Sequence, residues 1–449
     1  MSISRWLRGV VSLAWLPFAF AAEPAGKPNI LIFYVDDMGW AQPGSYGGKL
    51  AATPAMDAIA RNGVRFTDGY VSACICAPSR VGMMTGRYQA RTGHDANGNR
   101  EGRELLLSET TLAQRLKPAG YTSGIVGKWH LGSSSPAYLP GSRGFDYAVG
   151  SVSNLGEGSF YRGTTLIDSL PGAPVTSPFY RDEAIKFITE HRAQPWFLYL
   201  AFNAVHAPHV ASQKWLDQFK HLSAQEQRYA ALVAEADEAI GAVMAKLRAL
   251  NLEENTLIFL ISDNGGAAPQ AEMGGLRGRK WFVWEGGIRV SWMAQWKGHI
   301  PAGRVSSEPV IQLDVMPTAL AAAGVDVKPE WQLDGVNLLP LLQGNTARLA
   351  PRALFFRFGV QYAVRQGDWK LVKASKAMAP MLVNLATDRG EKTDLSAQQP
   401  ERAQALQKLY DEWNARMQPP RWEDRRWDGD EDRKAEKRTK KKEKRKGAK

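Results

Sequence analysis

Four apolar runs, each ending in polar residues of catalytic type, constrain this chain more than any other feature. Asn29 to Val35 leads into Asp36 and Asp37, and Tyr121 to Val126 into Lys128 and His130; Trp196 to Phe202 leads into Asn203 and His206, and Leu257 to Ile261 into Asp263 and Asn264. None of the runs alternates apolar with polar residues. Each therefore reads as a strand buried on both faces, as in a parallel sheet covered by helices. Such sheets bind ligands beyond the carboxyl ends of their strands, and that is the end at which all four runs turn polar. Four buried strands that deliver Asp, Lys, His and Asn to one edge are hard to explain by structure alone.

The segments between the runs read as helices. Ser223-Ala224-Gln225-Glu226 fits a capping box. Leu232, Val233, Ala236, Ile240, Val243, Met244 and Leu247 then repeat at helical spacing and should face the sheet, with Asn251 or the turn after it ending the helix. Helices are also expected over Pro54 to Arg61, with Met56, Ile59 and Ala60 inward, and over Thr110 to Leu116. After about Gln343 the pattern changes. Leu354 to Phe358, Tyr362 to Arg365, Trp369 to Val372 and Met381 to Leu385 read as short sequential strands, followed by a helix from Pro400 to Met417. The expected fold is α/β: a large mixed, mostly parallel sheet sandwiched by helices over residues 27–343. A smaller C-terminal subdomain of antiparallel sheet plus helix is expected over 352–425.

Residues 1–21 carry Arg5 and Arg8, an apolar run from Val10 to Phe20 and Ala19-Phe20-Ala21, the layout of a cleaved signal peptide. No later stretch is apolar for long enough to span a bilayer, so no transmembrane segment is expected in the mature chain and the product should be exported, periplasmic or secreted. The net charge of +12 suggests a nucleic-acid binder only until it is located. Residues 433–449 hold eleven Lys or Arg and two Glu, the signal peptide holds +2, and residues 22–432 are left with +1. The basic character belongs to a tail over 429–449 that reads as disordered, so no nucleic-acid partner is expected. Cys74 and Cys76 are the only cysteines, too close together for a disulfide framework.

Asp36, Asp37, Asp263 and Asn264 offer an all-oxygen ligand set, which selects calcium or magnesium over zinc. Arg80, Lys128 and Lys280 add fixed positive charge, and His130 and His206 titrate nearest neutral pH. A metal ion with clustered cations suits an ester whose leaving oxygen gains negative charge in the transition state.

Cys76-Ala77-Pro78-Ser79-Arg80 followed by Met84-Thr85-Gly86-Arg87 resembles the segment in which sulfatases convert a cysteine to formylglycine. Other stretches are similar to the remaining signatures of type I, formylglycine-dependent sulfatases of the alkaline phosphatase superfamily. They are Asp36-Asp37-Met38-Gly39, Thr53-Pro54 with Asp57, Gly63-Val64-Arg65-Phe66, Gly127-Lys128-Trp129-His130, Gly144-Phe145-Asp146, Ser262-Asp263-Asn264-Gly265-Gly266, and Leu276-Arg277-Gly278 to Lys280 before Glu285-Gly286-Gly287. The resemblance spans roughly residues 27–400. It implies that Cys76, as 3-oxoalanine (formylglycine), is the nucleophile, made by a formylglycine-generating maturation enzyme. It further implies one calcium ion held by Asp36, Asp37, Asp263, Asn264 and the modified Cys76. Arg80 and Lys128 would hold the aldehyde hydrate, His130 would deprotonate its second hydroxyl, and His206 and Lys280 would contact the sulfate. The implied reaction is hydrolysis of a sulfated carbohydrate or aryl sulfate through a sulfo-enzyme intermediate.

Two other readings compete. A phosphonate or phosphodiester hydrolase of the same superfamily would place His beside the second-strand Asp, where this chain has Asn264. A noncatalytic binder of sulfated glycans would leave Cys76 unconverted. Trp281, Phe282 and Trp284, beside Lys280, could stack on a sugar or form local core. His94, Asp95, Asn97 and Asn99 could line the pocket mouth or be solvated loop.

Overall fold

The computed structural model describes residues 26–98, 101–155, 159–424 and 426–428. The signal-peptide segment 1–21, the basic tail 429–449 and Asn99 lie outside the described residues. Among the described residues the central sheet has ten strands, ordered Arg304–Ser306, Val64–Phe66, Trp292–Gln295, Thr256–Ser262, Asn29–Val35, Trp196–Ala201, Thr122–Gly127, Tyr147–Ser151, Phe160–Arg162 and Thr165–Ile167. The five from Thr256–Ser262 to Tyr147–Ser151 are mutually parallel. Antiparallel pairings flank them on both sides.

The unbroken apolar runs have the cause inferred from sequence. In Asn29–Val35, Ile30, Ile32 and Tyr34 enter one core, while Leu31, Phe33 and Val35 enter another on the opposite face. Trp196–Ala201 and Thr256–Ser262 divide in the same way. One face is covered by the helices Pro54–Arg61, Ser177–Glu190 and Ala224–Ala249, the other by Cys76–Thr85, Leu112–Leu116 and Val315–Ala322. The Ser223–Glu226 capping box forms, and every apolar position expected to face inward on that helix is buried. Leu250 caps it, and Asn251 takes a left-handed φ of 55°. The helix expected from Thr110 starts at Leu112, because the Thr111 side chain accepts from the Gln114 N–H and is therefore the cap.

The C-terminal strands Ala353–Phe358, Gln361–Gln366, Trp369–Lys373 and Met381–Asn384 pair antiparallel in sequence order. The helix after them runs over Pro400–Asn414, three residues shorter than expected; Ala415 caps it and the chain then turns. This sheet shares its core with Tyr70, Cys74, Ile75, Val283, Trp284 and Ile288, all on segments flanking the polar edge of the large sheet. Buried charges reinforce that contact. Lys370 Nζ lies 2.9 Å from Glu285 and 2.8 Å from Glu391, Glu285 accepts from Arg289 at 2.6 Å, and Arg365 pairs with Asp68 at 2.6 Å. Burial pushes the Glu391 carboxyl up to about 7 although Lys370 opposes the shift. Lys370→Met would leave buried Glu391 without a cation and Glu285 with Arg289 alone. A loss of about 3–5 kcal/mol is expected, read as a fall in the denaturant midpoint; a loss under about 1 kcal/mol would show that the cluster does not tie the small sheet down.

Candidate active site

The polar edge of the sheet is a junction of strand ends. Val35 and Ser262 are register partners, so Asp36-Asp37 and Asp263-Asn264 leave adjacent strands side by side. Gly127 is paired with Ala201, which brings Lys128 beside Asn203 and His206. Gly127 has to be glycine: its φ is 118°, and a Cβ there would stand 1.8 Å from the Ala201 carbonyl oxygen. Asp37 and His130 both sit in the left-handed region, at φ 61° and 58°. Such backbone is uncommon for residues with side chains and gathers at functional sites. Here it is held by the Asp37 N–H donating to Asp263 Oδ1 at 3.1 Å and the His130 N–H donating to the Val152 carbonyl at 2.7 Å.

Cys76 opens the buried helix Cys76–Thr85 and faces that junction. Its Sγ lies 3.3 Å from Asp36 Oδ1, 3.9 Å from Asp37 Oδ1 and 3.1 Å from Lys280 Nζ. The helix start lacks a side-chain cap of its own; instead the Ala77 N–H donates to Asn97 Oδ1 at 2.9 Å. Burial first, then the carboxylates of Asp263 and Asp36, hold the Cys76 thiol well above its ordinary range. Cys74 points into the core shared with the C-terminal sheet.

Three cations interleave with three carboxylates. Lys128 Nζ lies 2.6 Å from Asp36, Lys280 Nζ 2.6 Å from Asp37, and Arg80 Nη2 2.7 Å from Asp263. Burial, then the charge of Asp36, pushes Asp263 up to about 7, whereas Lys128 and its fellow cations hold Asp36 well below the usual carboxylate range. His130 is fully enclosed, and burial followed by Lys128 and Arg80 holds it well below the ordinary imidazole range, in its neutral form. His206 Nε2 lies 3.6 Å from Asp37 at the partly open side.

Two groups of side chains here have metal-ligand spacing: Asp36, Asp37, Cys76 and Asp263, and also Asp37, Cys76 and His206. The donors are oxygens apart from the Cys76 sulfur and the His206 nitrogen. Asn264 supplies the test of fit. Its amide nitrogen donates to Asp37 Oδ1 at 2.7 Å, yet its Oδ1 is buried with no hydrogen-bond partner. A buried acceptor left open beside three carboxylates suits a hard cation and is costly otherwise. The residues present fit a metal ion.

All ten residues singled out from the sequence thus meet at one place. Sequence reasoning missed Tyr34 and Tyr199, hidden as apolar members of their strands: Arg80 donates to Tyr199 Oη at 3.4 Å and lies 5.3 Å over the Tyr34 ring. It also missed Asn154, which accepts from Lys128 Nζ at 2.7 Å and has no motif around it. Of the residues considered for the pocket mouth, Asp95 turns inward to pair with Arg357 at 2.7 Å, and His94 is buried against Trp422. Trp284 is core, under Arg277, whereas Trp281 is half-buried beside Lys280. A separate cavity of about 230 Å³ lies between the far end of the Cys76 helix and the C-terminal helix. Its Arg91 and Arg352 are already paired with Asp334 and Asp314, so the reaction is not placed there.

The Sulfatase family model matches residues 28–325, and that of N-sulphoglucosamine sulphohydrolase, C-terminal, matches residues 278–418. N-acetylgalactosamine-6-sulfatase of Sus scrofa is 34% identical, over 90% of this chain and 88% of its own length. Arylsulfatase A of Bos taurus is 34% identical, over 79% of this chain and 76% of its own. Among solved structures, Ps i-CgsB in complex with k-i-k-neocarrahexaose superimposes with a TM-score of 0.82 at 28% identity, covering 88% of this chain and 95% of that one.

Proposed function

The chain belongs to the sulfatase family and is a sulfuric ester hydrolase, and from that premise we propose that it hydrolyses sulfate esters of carbohydrates through a formylglycine hydrate made from Cys76. The observation that carries this reading is the position of Cys76, at the start of a buried helix and in contact with Asp36, Asp37 and Lys280 at once. A structural cysteine has no need of such company. The hydrate would supply two geminal hydroxyls: one would bond to sulfur as the ester S–O bond breaks and the alcohol leaves, and loss of the other's proton would re-form the aldehyde and break the C–O bond to the sulfate, so that one difficult hydrolysis becomes two easier steps.

The chain's own residues would divide the work. Asp36, Asp37, Asp263 and Asn264 would hold a calcium ion, whose charge would polarise the sulfate oxygens. Arg80 and Lys128 are fixed by Asp263, Tyr199, Asp36 and Asn154 and would hold the hydrate in place. Neutral His130, whose Nδ1 is buried without a partner, would take the proton of the second hydroxyl. Buried Lys280, and His206 on the partly open side, would contact the sulfate and assist the departing alcohol oxygen.

Carbohydrate is favoured as the alcohol because one similar protein is named for N-acetylgalactosamine-6-sulfate chemistry and another was solved with a neocarrahexaose. The reading also requires export past a maturation enzyme. Residues 1–21 support it, and no helix among the described residues is long and apolar enough to cross a membrane. The test pairs turnover of a small aryl sulfate with mass spectrometry of the Cys76 peptide. Turnover should track the fraction of peptide carrying the lighter aldehyde form. Full activity from protein with only unmodified Cys76 would sink the proposal.

A further inference from the structure

Lys280 reaches the reaction centre from irregular backbone. Its Nζ lies 2.6 Å from Asp37 and 3.1 Å from Cys76 Sγ, but its main chain lies between the strand Thr256–Ser262 and the short helix Glu285–Ile288 and belongs to neither. The next residue, Trp281, sits at φ 77°, a left-handed conformation that is a true outlier for a bulky side chain. Backbone of that kind persists only where its surroundings over-determine it. The large subdomain supplies two restraints: the Lys280 N–H donates to the Gly266 carbonyl at 3.2 Å and the Trp281 N–H to the Cys74 carbonyl at 2.9 Å.

Further restraints come from the C-terminal subdomain. Gln361 opens the strand Gln361–Gln366 and is fully buried. Its amide nitrogen donates to the Trp281 carbonyl at 3.0 Å and to the Arg426 carbonyl at 3.4 Å, and its amide oxygen accepts from the Val283 N–H at 3.4 Å. One side chain thus fills the place of a neighbouring strand, pairing a C=O and an N–H two residues apart. Lys370 and Glu391 continue the row: Lys370 Nζ donates to the Val283 carbonyl at 2.9 Å, and the Glu285 N–H donates to Glu391 Oε2 at 2.6 Å. Buried backbone groups are costly to leave unpaired, so the path from Trp281 to Glu285 is set by the small sheet. Lys370 and Glu391 also carry the buried charges that join the subdomains. Gln361 is neutral, and each of its hydrogen bonds named here ends on backbone.

We propose that Gln361 is a positioning residue for Lys280: by holding the left-handed turn at Trp281, it keeps the Lys280 ammonium aimed at the oxygen that departs with the alcohol. The inference rests on the sulfatase reading and goes beyond it in making a side chain of the C-terminal subdomain a determinant of how well poor leaving groups are expelled. As the ester S–O bond breaks, the alcohol oxygen keeps the bonding electron pair and gains negative charge, while the hydrate oxygen forms the new bond to sulfur. A cation at the departing oxygen matters most when the alcohol is weakly acidic and that charge is least delocalised. Displacing such a group by about 1 Å can cost about 100-fold in rate.

The experiment measures kcat/KM on nitrophenyl sulfate, with a good leaving group, and on methoxyphenyl sulfate, with a poor one. It uses the full chain, Gln361→Met, Gln361→Asn, Lys280→Ala and the double variant of Gln361→Met with Lys280→Ala, each normalised to the fraction of Cys76 in the aldehyde form. Met keeps the volume and removes the hydrogen bonds; Asn keeps the amide on a stem one carbon shorter. Melting curves confirm the fold, and hydrogen exchange of peptides spanning 276–288 follows the segment itself. Gln361→Met should lower kcat/KM about 30-fold on methoxyphenyl sulfate and about three-fold or less on nitrophenyl sulfate, with Gln361→Asn between it and the parent. In the Lys280→Ala background the same substitution should cost less than about two-fold on either substrate, because a residue that acts through Lys280 then has nothing to act on. Exchange within 276–288 should quicken in both Gln361 variants, with the Cys76 helix unchanged. Equal losses on the two substrates, a loss that persists in full without Lys280, or unaltered exchange would each overturn the proposal. If Gln361→Met does not fold, the leaving-group ratio and the exchange of Gln361→Asn decide in its place. Absence of sulfate-ester turnover by the converted parent would count against the sulfatase chemistry itself, and exchange would still decide whether Gln361 holds the Lys280 segment.

Discussion

Cys76→Ala is expected to reduce sulfate-ester turnover by about 10⁵-fold or more, as loss of the nucleophile does in other covalent catalysts. Cys74→Ala should leave most of it. The two cysteines are two residues apart and equally buried, so neither exposure nor sequence position separates them. Their neighbours do. Cys76 Sγ touches the Asp36 carboxylate and the Lys280 ammonium, whereas Cys74 packs among Tyr70, Ile75, Val283 and the strands of the C-terminal sheet. Truncating Cys74 removes one buried sulfur from an apolar core, at a cost of about 1 kcal/mol, and touches no reacting group. Burial pushes both thiols up, so thiolate character does not separate them and their neighbours must. The comparison is made by kcat on an aryl sulfate, with a melting curve for each variant. An active Cys76→Ala, or a folded but dead Cys74→Ala, would exchange the two assignments.

The strand-end logic was legible because burial on both faces leaves no freedom in composition. A run such as Ile30 to Val35 has nowhere to put a polar side chain until the strand ends, so the first carboxylate marks the sheet edge. The same constraint hid Tyr34 and Tyr199. Each occupies an inward position where a tyrosine looks like any other apolar residue, and only the crossing of strands shows Arg80 lying between their hydroxyls and rings. Asp95 was misjudged for the opposite reason: a polar residue in a glycine-bearing loop reads as solvated until Arg357, 262 residues away, is seen to pair with it. The path of the chain past its last helix was equally invisible, because Arg421, Trp422 and Arg426 take their meaning from long-range partners at Gly93, Asn97 and Trp281. Local pattern reveals which residues must be buried, and long-range pairing decides what polar ones do.

Removing the metal should cost both stability and turnover, and calcium should restore more of each than zinc. Three carboxylates converge on one point with three cations around them, and the Asn264 carbonyl oxygen is left without a donor. A hard cation would satisfy that oxygen and offset the burial, and then the charge of Asp36, that push the Asp263 carboxyl up to about 7. Because an ion bound only by the folded state stabilises it by mass action, saturation at a hundred times the dissociation constant adds about 2.7 kcal/mol. Asp263→Asn keeps the shape but removes a charge that also anchors Arg80, at 2.7 Å. Metal affinity should then fall by at least about 100-fold, more than is usual for residues that merely orient a ligand, and turnover should fall with it. Asn264→Ala, which removes a neutral donor, should weaken the metal less and leave Arg80 in place. Calorimetric titration of the chelated protein with calcium and zinc gives the affinities, and aryl sulfate turnover after each addition gives the function. Stoichiometric zinc or manganese in active protein, with calcium unable to restore activity, would overturn the calcium assignment and move the chemistry toward a transition-metal phosphonate or phosphodiester hydrolase. The Cys76 comparison would still stand under that outcome, because the nucleophile and the identity of the ion are tested by separate measurements.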